Sequence, residues 1–277
     1  MKFKKYLNLY SIVVCGITFA LVLIPLLACV INSFRSTSDL LRGFFALPKE
    51  ITLDNFIYII QEKHVFRYLL NSLLITCGGV FISFLFNPFI AFMIATNWDK
   101  KIYRFLYIFL SACMFIPSNL ILFPLIKMYY RLNLMNVWGL LLYYAAIFIP
   151  ETVFMLVPYF RTFNKDIGEA ARLDGCTHMQ MYSKVFLPMC KPFVTTTMIL
   201  NAIWLWNDFL MPLMILNKDP EMWTLPIFIY NFLGRNSFKK NYAFASCLLA
   251  LIPIMLFYGI FHKKIMLGLN MKNKETR

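Results

Sequence analysis

Charged residues are scarce in this sequence, since Asp, Glu, Lys and Arg together make up only 14% of its 277 residues. Soluble domains carry about a quarter, and 60% of this chain is apolar, so an ordinary soluble domain is excluded. Glycine is also scarce, and none of the ten glycines is followed by lysine. That absence excludes the G-x-x-x-x-G-K-[ST] phosphate-binding loop.

Clusters of reactive or metal-binding side chains are lacking as well. The seven cysteines form no C-x-x-C pair, so neither a zinc knuckle nor a disulfide scaffold is indicated, and we interpret them as small apolar packing residues. His64, His178 and His262 lie far apart in the sequence. No metal site is predicted, and an enzyme with its own catalytic group is not expected.

Long apolar runs dominate what is present. A helix needs about 20 apolar residues to cross a bilayer, and six runs are long enough: 11–31, 69–98, 105–126, 132–160, 193–217 and 241–262. The fourth contains Glu151 and the fifth contains Asp208. Since these runs lack the alternation of a barrel strand, the sequence predicts an all-α polytopic membrane protein with six transmembrane helices.

The distribution of basic residues predicts the orientation of these helices. With the N-terminus inside, more of the 27 lysines and arginines lie on the inner side than on the outer side, which favours N-in/C-in. The net charge of +14 then reflects topology, and no nucleic acid is required. A basic start before an apolar run also describes a cleavable signal, and residues 26–29 approach a lipoprotein cleavage box, but the run exceeds a signal-peptide core and favours an uncleaved helix.

The chain is predicted to divide near residue 68. Residues 1–68 comprise the first transmembrane helix and an outer segment, and residues 69–277 comprise a core of five transmembrane helices. Prolines occur inside most of the runs, and each can kink a membrane helix, as is common where helices surround a pathway. The longest inner loop, 161–191, lies between the fourth and fifth helices.

This loop is predicted to form two short helices joined by a bend. Asp166 is expected to cap the first helix, with Glu169 as the reciprocal carboxylate, and Gly175 to stop it in the left-handed conformation. Thr177 is expected to cap the second helix. The second capping box is completed by Gln180, and Leu187-Pro188 is predicted to end the helix because the residue before proline avoids helical geometry.

The spacing within this loop resembles that of a known family. Glu169-Ala170-Ala171, Gly175 after three residues, Val185 after nine more and then Leu187-Pro188 are similar to the E-A-A-x3-G-x9-I-x-L-P loop of inner-membrane permeases of binding-protein-dependent ABC importers, with Val185 as the departure. The resemblance implies a coupling helix that inserts into a groove of an ATPase subunit. The residues assigned to coupling are Glu169, Ala170, Ala171, Asp174, Gly175, Val185, Leu187 and Pro188. The alternative for Glu169 is that it only caps its own helix.

Flanking residues resemble the carbohydrate-uptake branch of that family, which includes the maltose-type permeases. The matches are Arg172-Leu173-Asp174-Gly175, Trp206-Asn207-Asp208-Phe209-Leu210 with Pro212, Trp223-Thr224-Leu225-Pro226 and Gly268-Leu269. The tail at 270–274 lacks the usual glycine-containing ending, which puts a tail contact with the ATPase in doubt. A sugar or oligosaccharide is therefore the expected substrate.

The resemblance also implies partners and a location. A second homologous permease, two ABC ATPase subunits that bind ATP and Mg²⁺, and an extracytoplasmic solute-binding protein are expected, in a bacterial cell membrane. This chain itself is expected to hold no cofactor. The alternatives are a permease for a non-sugar solute such as a polyamine, which would present more carboxylates, and a stand-alone secondary transporter, which would need its own ion-binding residues.

Four polar or aromatic residues in the apolar runs are candidates for the translocation pathway. Asn207 and Asp208 can bond sugar hydroxyls, while Trp204, or alternatively Trp206, can present a flat apolar face. Helix packing and interfacial anchoring explain these residues equally well. For Glu151, pairing with a buried base or water is favoured over substrate contact.

Overall fold

The structure, a computed structural model, describes residues 2–163, 165–233 and 239–274. Every regular element in these ranges is helical, which confirms the all-α prediction. The helices are α1 Lys2–Ser33, α2 Thr37–Leu40, α3 Asp54–Ile57, α4 Val65–Thr96, α5 Lys101–Cys113, α6 Ser118–Arg131, α7 Val137–Ile147, α8 Ile149–Thr162, α9 Lys165–Leu173, α10 His178–Met181, α11 Leu187–Met189, α12 Lys191–Asn207, α13 Leu210–Leu216, α14 Leu225–Asn231 and α15 Lys240–Lys274. Short π turns follow α3 and α10, and a 3₁₀ turn precedes α14.

Four helical segments among the described residues are long and apolar enough to cross a membrane individually. They are Ser11–Ser33 in α1, Val65–Thr96, Val137–Thr162 across α7 and α8, and Lys240–His262 in α15. Two further pairs pass the same test but are bent: α5 with α6 by 102°, and His178–Met189 with α12 by 83°. The count of spans is therefore four, or up to six if each bent pair is one span.

Three of the predicted continuous runs are interrupted in the structure. The run 105–126 is divided between α5 and α6, the run 132–160 is interrupted at Phe148, and the run 193–217 is divided between α12 and α13. The prediction of one continuous helix was wrong for the first and third of these runs, because hydropathy averages over a window and is insensitive to a local change of backbone direction. In the second run only Phe148 separates α7 from α8, and Val137–Thr162 still qualifies as one span. Proline contributes at two of the breaks: Pro117 precedes α6, and Pro150 occupies the first turn of α8, where its missing N–H is tolerated.

Contacts between residues divide the protein into two compact units. One comprises the chain up to Leu69 together with Leu225–Met255, and the other comprises Leu70–Thr224 together with the chain from Leu256. The second unit contains two apolar cores, one built around α4, α8 and the loop helices α9 to α11, the other around α6, α7 and α13. The division of 1–68 from 69–277 stays a prediction.

Within the first unit, the segment after α1 is organised by a buried arginine. Arg35 is 0% exposed, and its Nε donates to Oδ2 of Asp39 at 3.1 Å while Nη1 donates to Oδ1 of Asn32 at 2.9 Å. Asp39 also accepts from Arg42 at 2.9 Å. These hydrogen bonds, first that from Arg42 and then that from Arg35, lower the pKa of Asp39 to about 2, so the carboxylate stays ionised at neutral pH.

An asparagine joins this cluster to α3 and to the start of α15. The Nδ2 group of Asn55 donates to the carbonyl oxygens of Ser33 at 2.7 Å and Arg35 at 2.9 Å. Its Oδ1 accepts from Nδ2 of Asn241 at 2.5 Å. Asn55 and Asn241 are both only 2% exposed, so the hydrogen bond between their amides satisfies polar atoms that water does not reach.

We expect Gly139→Ala to destabilise the second unit. Gly139 lies in the first turn of α7, and a Cβ at this position would be 1.9 Å from the backbone oxygen of Leu134. Relieving that overlap requires backbone movement, which costs about 1–3 kcal/mol. The measurement is the thermal unfolding midpoint of the protein in detergent.

The matched control is Gly16→Ala, in the middle of α1. No atom lies within 4 Å of a Cβ built there, so the added methyl only stiffens the helix, which is worth about 0.5–1 kcal/mol. The two alanine variants are expected to shift the midpoint in opposite directions. If the Gly139→Ala protein is as stable as the parent, the close approach of position 139 to the backbone oxygen of Leu134 is contradicted.

Candidate functional site

The first helix of the loop 161–191 ends in a Schellman motif. Gly175 has φ +75°, and its N–H donates to the carbonyl of Arg172 at 3.0 Å. The N–H of Cys176 donates to the carbonyl of Ala171, also at 3.0 Å, which completes the 6→1 and 5→2 pair of this motif. The left-handed stop at Gly175 is thereby confirmed, whereas the cap assigned to Asp166 concerns a side chain outside the described residues.

The second helix begins with the predicted capping box. The side chain of Thr177 accepts from the N–H of Gln180 at 3.3 Å, and Oε1 of Gln180 accepts from the N–H of Thr177 at 2.8 Å. This reciprocal arrangement satisfies two N–H groups at the start of the helix. The prediction from the Thr177/Gln180 spacing is confirmed.

The end of the second helix was predicted wrongly. Leu187-Pro188 does not terminate it, because the helical backbone runs on to Met189 and bends only at Cys190, before α12. A π turn over Tyr182–Phe186 precedes the proline. The wider hydrogen-bond register of that turn accommodates Pro188, which has no N–H to donate, at the start of the short α11.

Aromatic contacts hold the loop against the ends of α4 and α8. The ring of Phe186 lies 5.0 Å from that of Phe92 and 5.9 Å from that of Phe160, and Tyr182 lies 5.5 Å from Phe92. Offset and edge-to-face pairs of this kind stabilise by about 0.5–1.5 kcal/mol each beyond their buried area. The two short helices are therefore packed onto the core rather than suspended as a linker.

The residues assigned to coupling differ in their exposure to solvent. Glu169, Ala170, Asp174, Gly175 and Pro188 are exposed, Val185 and Leu187 are partly buried, and Ala171 is buried. Ala171 packs within the chain's own core, so its small side chain serves the internal contact. The exposed members form the part of the loop that another protein can reach.

A cavity of about 310 Å³ lies beside this loop. Glu169 and Arg172 line it together with Asp99, and Arg161 lies with its guanidinium 4.0 Å from the centre of the Trp98 ring on the same wall. The stacked guanidinium is held by a cation–π contact. The cavity thus places charges of both signs next to the exposed face of α9.

The four candidate pathway residues line one open cleft of about 1020 Å³ in the second unit. Glu151, Trp204, Asn207 and Asp208 all contribute to its wall. The cleft also lies where three helix interruptions meet, since its lining includes residues from the α5/α6 bend, the α7/α8 break and the α12/α13 break. Irregular backbone at membrane depth is tolerated where it is buried or lines a cavity.

Asp208 does not lie within a helix, contrary to the prediction. The helix α12 ends at Asn207, and Asp208 has extended backbone angles, φ −67° and ψ 125°. Its Oδ2 accepts a 2.9 Å hydrogen bond from the hydroxyl of Tyr144, and the backbone N–H groups of 209–211 face its carboxylate. The carboxylate thus lies beside donors that the start of a helix leaves without a helical partner.

Trp204 and Asn207 occupy the last turn of α12 at the cleft. The ring of Trp204 meets Phe148 edge-on at 5.5 Å and Tyr144 edge-on at 6.4 Å, and 44% of its side chain stays exposed. The Nδ2 of Asn207 donates to the carbonyl of Ile203 at 2.7 Å. Trp206, the alternative to Trp204, does not line the cleft.

Tyr144 and Asn201 were missed by the sequence analysis. Tyr144 is fully buried and orients Asp208, while Asn201, 5% exposed, lines the cleft. Their positions in apolar runs carry no signal, because a tyrosine is ordinary in a membrane helix and the partner of Tyr144 is 64 residues away. Among the described residues no three His, Cys, Asp or Glu side chains are grouped as metal ligands would be.

Comparison with known proteins gives consistent matches over most of the chain. The family described as binding-protein-dependent transport system inner membrane component matches residues 87–266. The multiple sugar-binding transport system permease protein MsmG of Streptococcus mutans is 39% identical over 273 residues, covering 98% of each chain. The arabinooligosaccharides transport system permease protein AraQ of Halalkalibacterium halodurans is 30% identical over 249 residues, covering 88% of each.

A solved structure is similar over nearly the whole chain. It is a bacterial ABC transporter involved in the import of the acidic polysaccharide alginate, and it matches with a TM-score of 0.76, covering 94% of this chain and 96% of that one. The sequence identity is 22%, so this likeness concerns the fold alone.

Proposed function

Because the chain belongs to the family of binding-protein-dependent transport system inner membrane components, we propose that it forms half of the translocation pathway of an ATP-driven importer for a sugar or oligosaccharide. It is a multi-pass protein of the bacterial cell membrane. The observation that carries the proposal is the cleft at the three helix breaks, where Glu151, Trp204, Asn207 and Asp208 come together. Amide and carboxylate groups beside an indole ring suit the hydroxyls and apolar faces of a sugar.

The proposed topology has six spans with both termini inside. It treats each bent pair, α5 with α6 and His178–Met189 with α12, as a single interrupted span. The distribution of lysine and arginine supports this orientation. In this arrangement α9 to α11 face the cytosol and the segment from Phe34 to His64 lies outside.

The loop helices are the proposed contact with an ATPase subunit. Glu169, Asp174 and Gly175 are exposed on them, while aromatic packing ties the same helices to α4 and α8. A push on the exposed face would therefore be passed to the membrane helices as rigid-body movement. ATP and Mg²⁺ would be bound by two ATPase subunits, with this chain holding no cofactor and performing no covalent chemistry.

A second homologous permease and an extracytoplasmic solute-binding protein complete the proposed assembly. The relatives support a sugar as substrate, since their names specify multiple sugars, starch degradation products and arabinooligosaccharides. The branch to which the sequence is similar typically pairs two different membrane subunits. The cleft, open in the single chain, would be closed by the second one.

The test is reconstitution of the chain with its genomic partner permease, ATPase and binding protein in proteoliposomes. We expect uptake of at least one labelled malto-, arabino- or chito-oligosaccharide that requires ATP inside and the binding protein outside. Collapse of ion gradients should leave the rate unchanged. Uptake by the chain alone driven by an ion gradient would indicate a secondary transporter, and ATP-driven uptake of a polyamine but of no sugar would indicate the other rival.

A further inference from the structure

The charge of the cleft is of one sign. In the part of the chain that the structure describes, its lining contains two ionisable carboxyl groups, those of Glu151 and Asp208, and no lysine, arginine or histidine. The rest of the wall is apolar or carries uncharged groups such as the amides of Asn201 and Asn207. A ligand that carries a negative charge would find no cationic partner among the described residues that line this cleft.

The break between α12 and α13 does not supply an anion-binding site either. The backbone N–H groups at the start of α13 are directed to the carboxylate of Asp208, which also accepts from Tyr144. These donors would otherwise be the local attraction for an anionic group. The carboxylate of Asp208, a side chain of the protein itself, already faces these donors.

Glu151 is the less constrained of the two carboxyl groups. It lies in the first turn of α8 and is partly exposed to the cleft. Neither ion pair found among the described residues includes it. Its charge therefore acts on the cleft contents with little internal compensation, and like charges repel more strongly where apolar walls lower the local dielectric constant.

We propose that this cleft discriminates against anionic sugars: it admits neutral oligosaccharides and rejects those that carry a uronate, with Glu151 as the main determinant. The proposal rests on the proposed function, because it specifies the substrate class of that same cleft. It separates this chain from the protein of similar fold that takes part in importing the acidic polysaccharide alginate. The common fold does not require a common charge preference.

The experiment uses the intact transporter in nanodiscs, without the binding protein, so that the cleft alone selects. The ligands are the neutral trisaccharide that the complex takes up, the same trisaccharide with one primary hydroxyl oxidised to a carboxylate, and the methyl ester of that acid. The ester matches the acid in size but is neutral. Equilibrium binding of the labelled sugars is expected to be at least about tenfold weaker for the acid than for the ester, equivalent to ~1.4 kcal/mol.

Glu151→Gln is the decisive variant, because it removes the charge and keeps the shape. We expect it to bring the affinities for acid and ester close together. The matched control, Glu62→Gln, alters an exposed carboxylate outside the cleft and should preserve the preference for the ester. A parent protein that binds acid and ester equally, or a Glu151→Gln protein that discriminates as the parent does, would overturn the proposal.

The proposed transport function and the proposed charge preference of the cleft are contradicted by different results. If the complete system takes up no sugar with ATP, the proposed function is wrong. If uptake is intact but the complex without its binding protein binds no neutral trisaccharide, the assignment of the cleft is wrong while the transport function stands.

Discussion

Replacing Gly175 by valine is expected to abolish ATP-driven sugar uptake while the assembled ATPase subunits continue to hydrolyse ATP. Gly175 has φ +75°, a conformation that costs a residue with a side chain about 1–2 kcal/mol and is least tolerated by β-branched residues. The valine variant would also lose the Schellman hydrogen bonds that the carbonyl groups of Arg172 and Ala171 accept. The bend that orients the exposed face of α9 would change, and the proposed contact with the ATPase would fail. The measurements are uptake and ATP hydrolysis in the same proteoliposomes.

Gly175→Asn is the matched control, since asparagine enters the left-handed region more readily than other residues with a side chain. No atom lies within 4 Å of a Cβ at this position, so a steric clash cannot explain a difference between the valine and asparagine variants. Asparagine should retain most of the uptake. A valine variant that transports normally would argue against a coupling role for the loop, and loss of uptake in Glu169→Lys with normal insertion would argue for it.

Removing the carboxylate of Asp208 is expected to reduce uptake by about tenfold or more, a change of ~1.4 kcal/mol in the transport cycle. In Asp208→Ala the N–H groups at 209–211 lose the carboxylate that faces them, and the buried hydroxyl of Tyr144 is left unpaired. Loss of a capping side chain costs about 1 kcal/mol, and a buried unsatisfied donor costs about 1–3 kcal/mol. The α12/α13 break would lose its defined geometry, and with it the wall of the cleft. Initial rates of uptake give the measurement.

Two milder variants separate the contribution of the Asp208 carboxylate to uptake from that of its hydrogen bond with Tyr144. Asp208→Asn keeps an oxygen that can accept from Tyr144 and should lose less uptake than the alanine variant. Tyr144→Phe removes only the hydroxyl, and its effect should not add to that of Asp208→Ala because both act through one hydrogen bond. Fully additive losses would show that the 2.9 Å contact does not matter for transport.

Features that depend on nearby residues were predictable from the sequence. The membrane-crossing runs followed from apolar composition, because lipid imposes one requirement on every residue that it touches. The left-handed stop at Gly175 and the capping box of Thr177 with Gln180 followed from spacing, because each depends on atoms within one turn of helix. The four candidate pathway residues line one cleft, while their role in transport stays a prediction.

Features that depend on distant packing were not predictable in the same way. The breaks at Phe148 and Asp208 occur inside long apolar runs, and the donor that stabilises Asp208 comes from Tyr144 on another helix. Pro188 illustrates a further difficulty: it normally signals the end of a helix, but here the preceding π turn removes the conflict. Whether a proline breaks a helix depends on the register before it, which the sequence does not reveal.

The contact between Asn55 and Asn241 links residues 186 positions apart, and it constrains the order of biogenesis. A ribosome adding about 5–20 residues per second needs roughly 10–40 s to synthesise that interval. During this time the nascent chain must hold Asn55, and through it Arg35 and Ser33, without the amide that completes the cluster. A product truncated before its last helix would lack Asn241, and the buried amide of Asn55 would keep one acceptor without its donor.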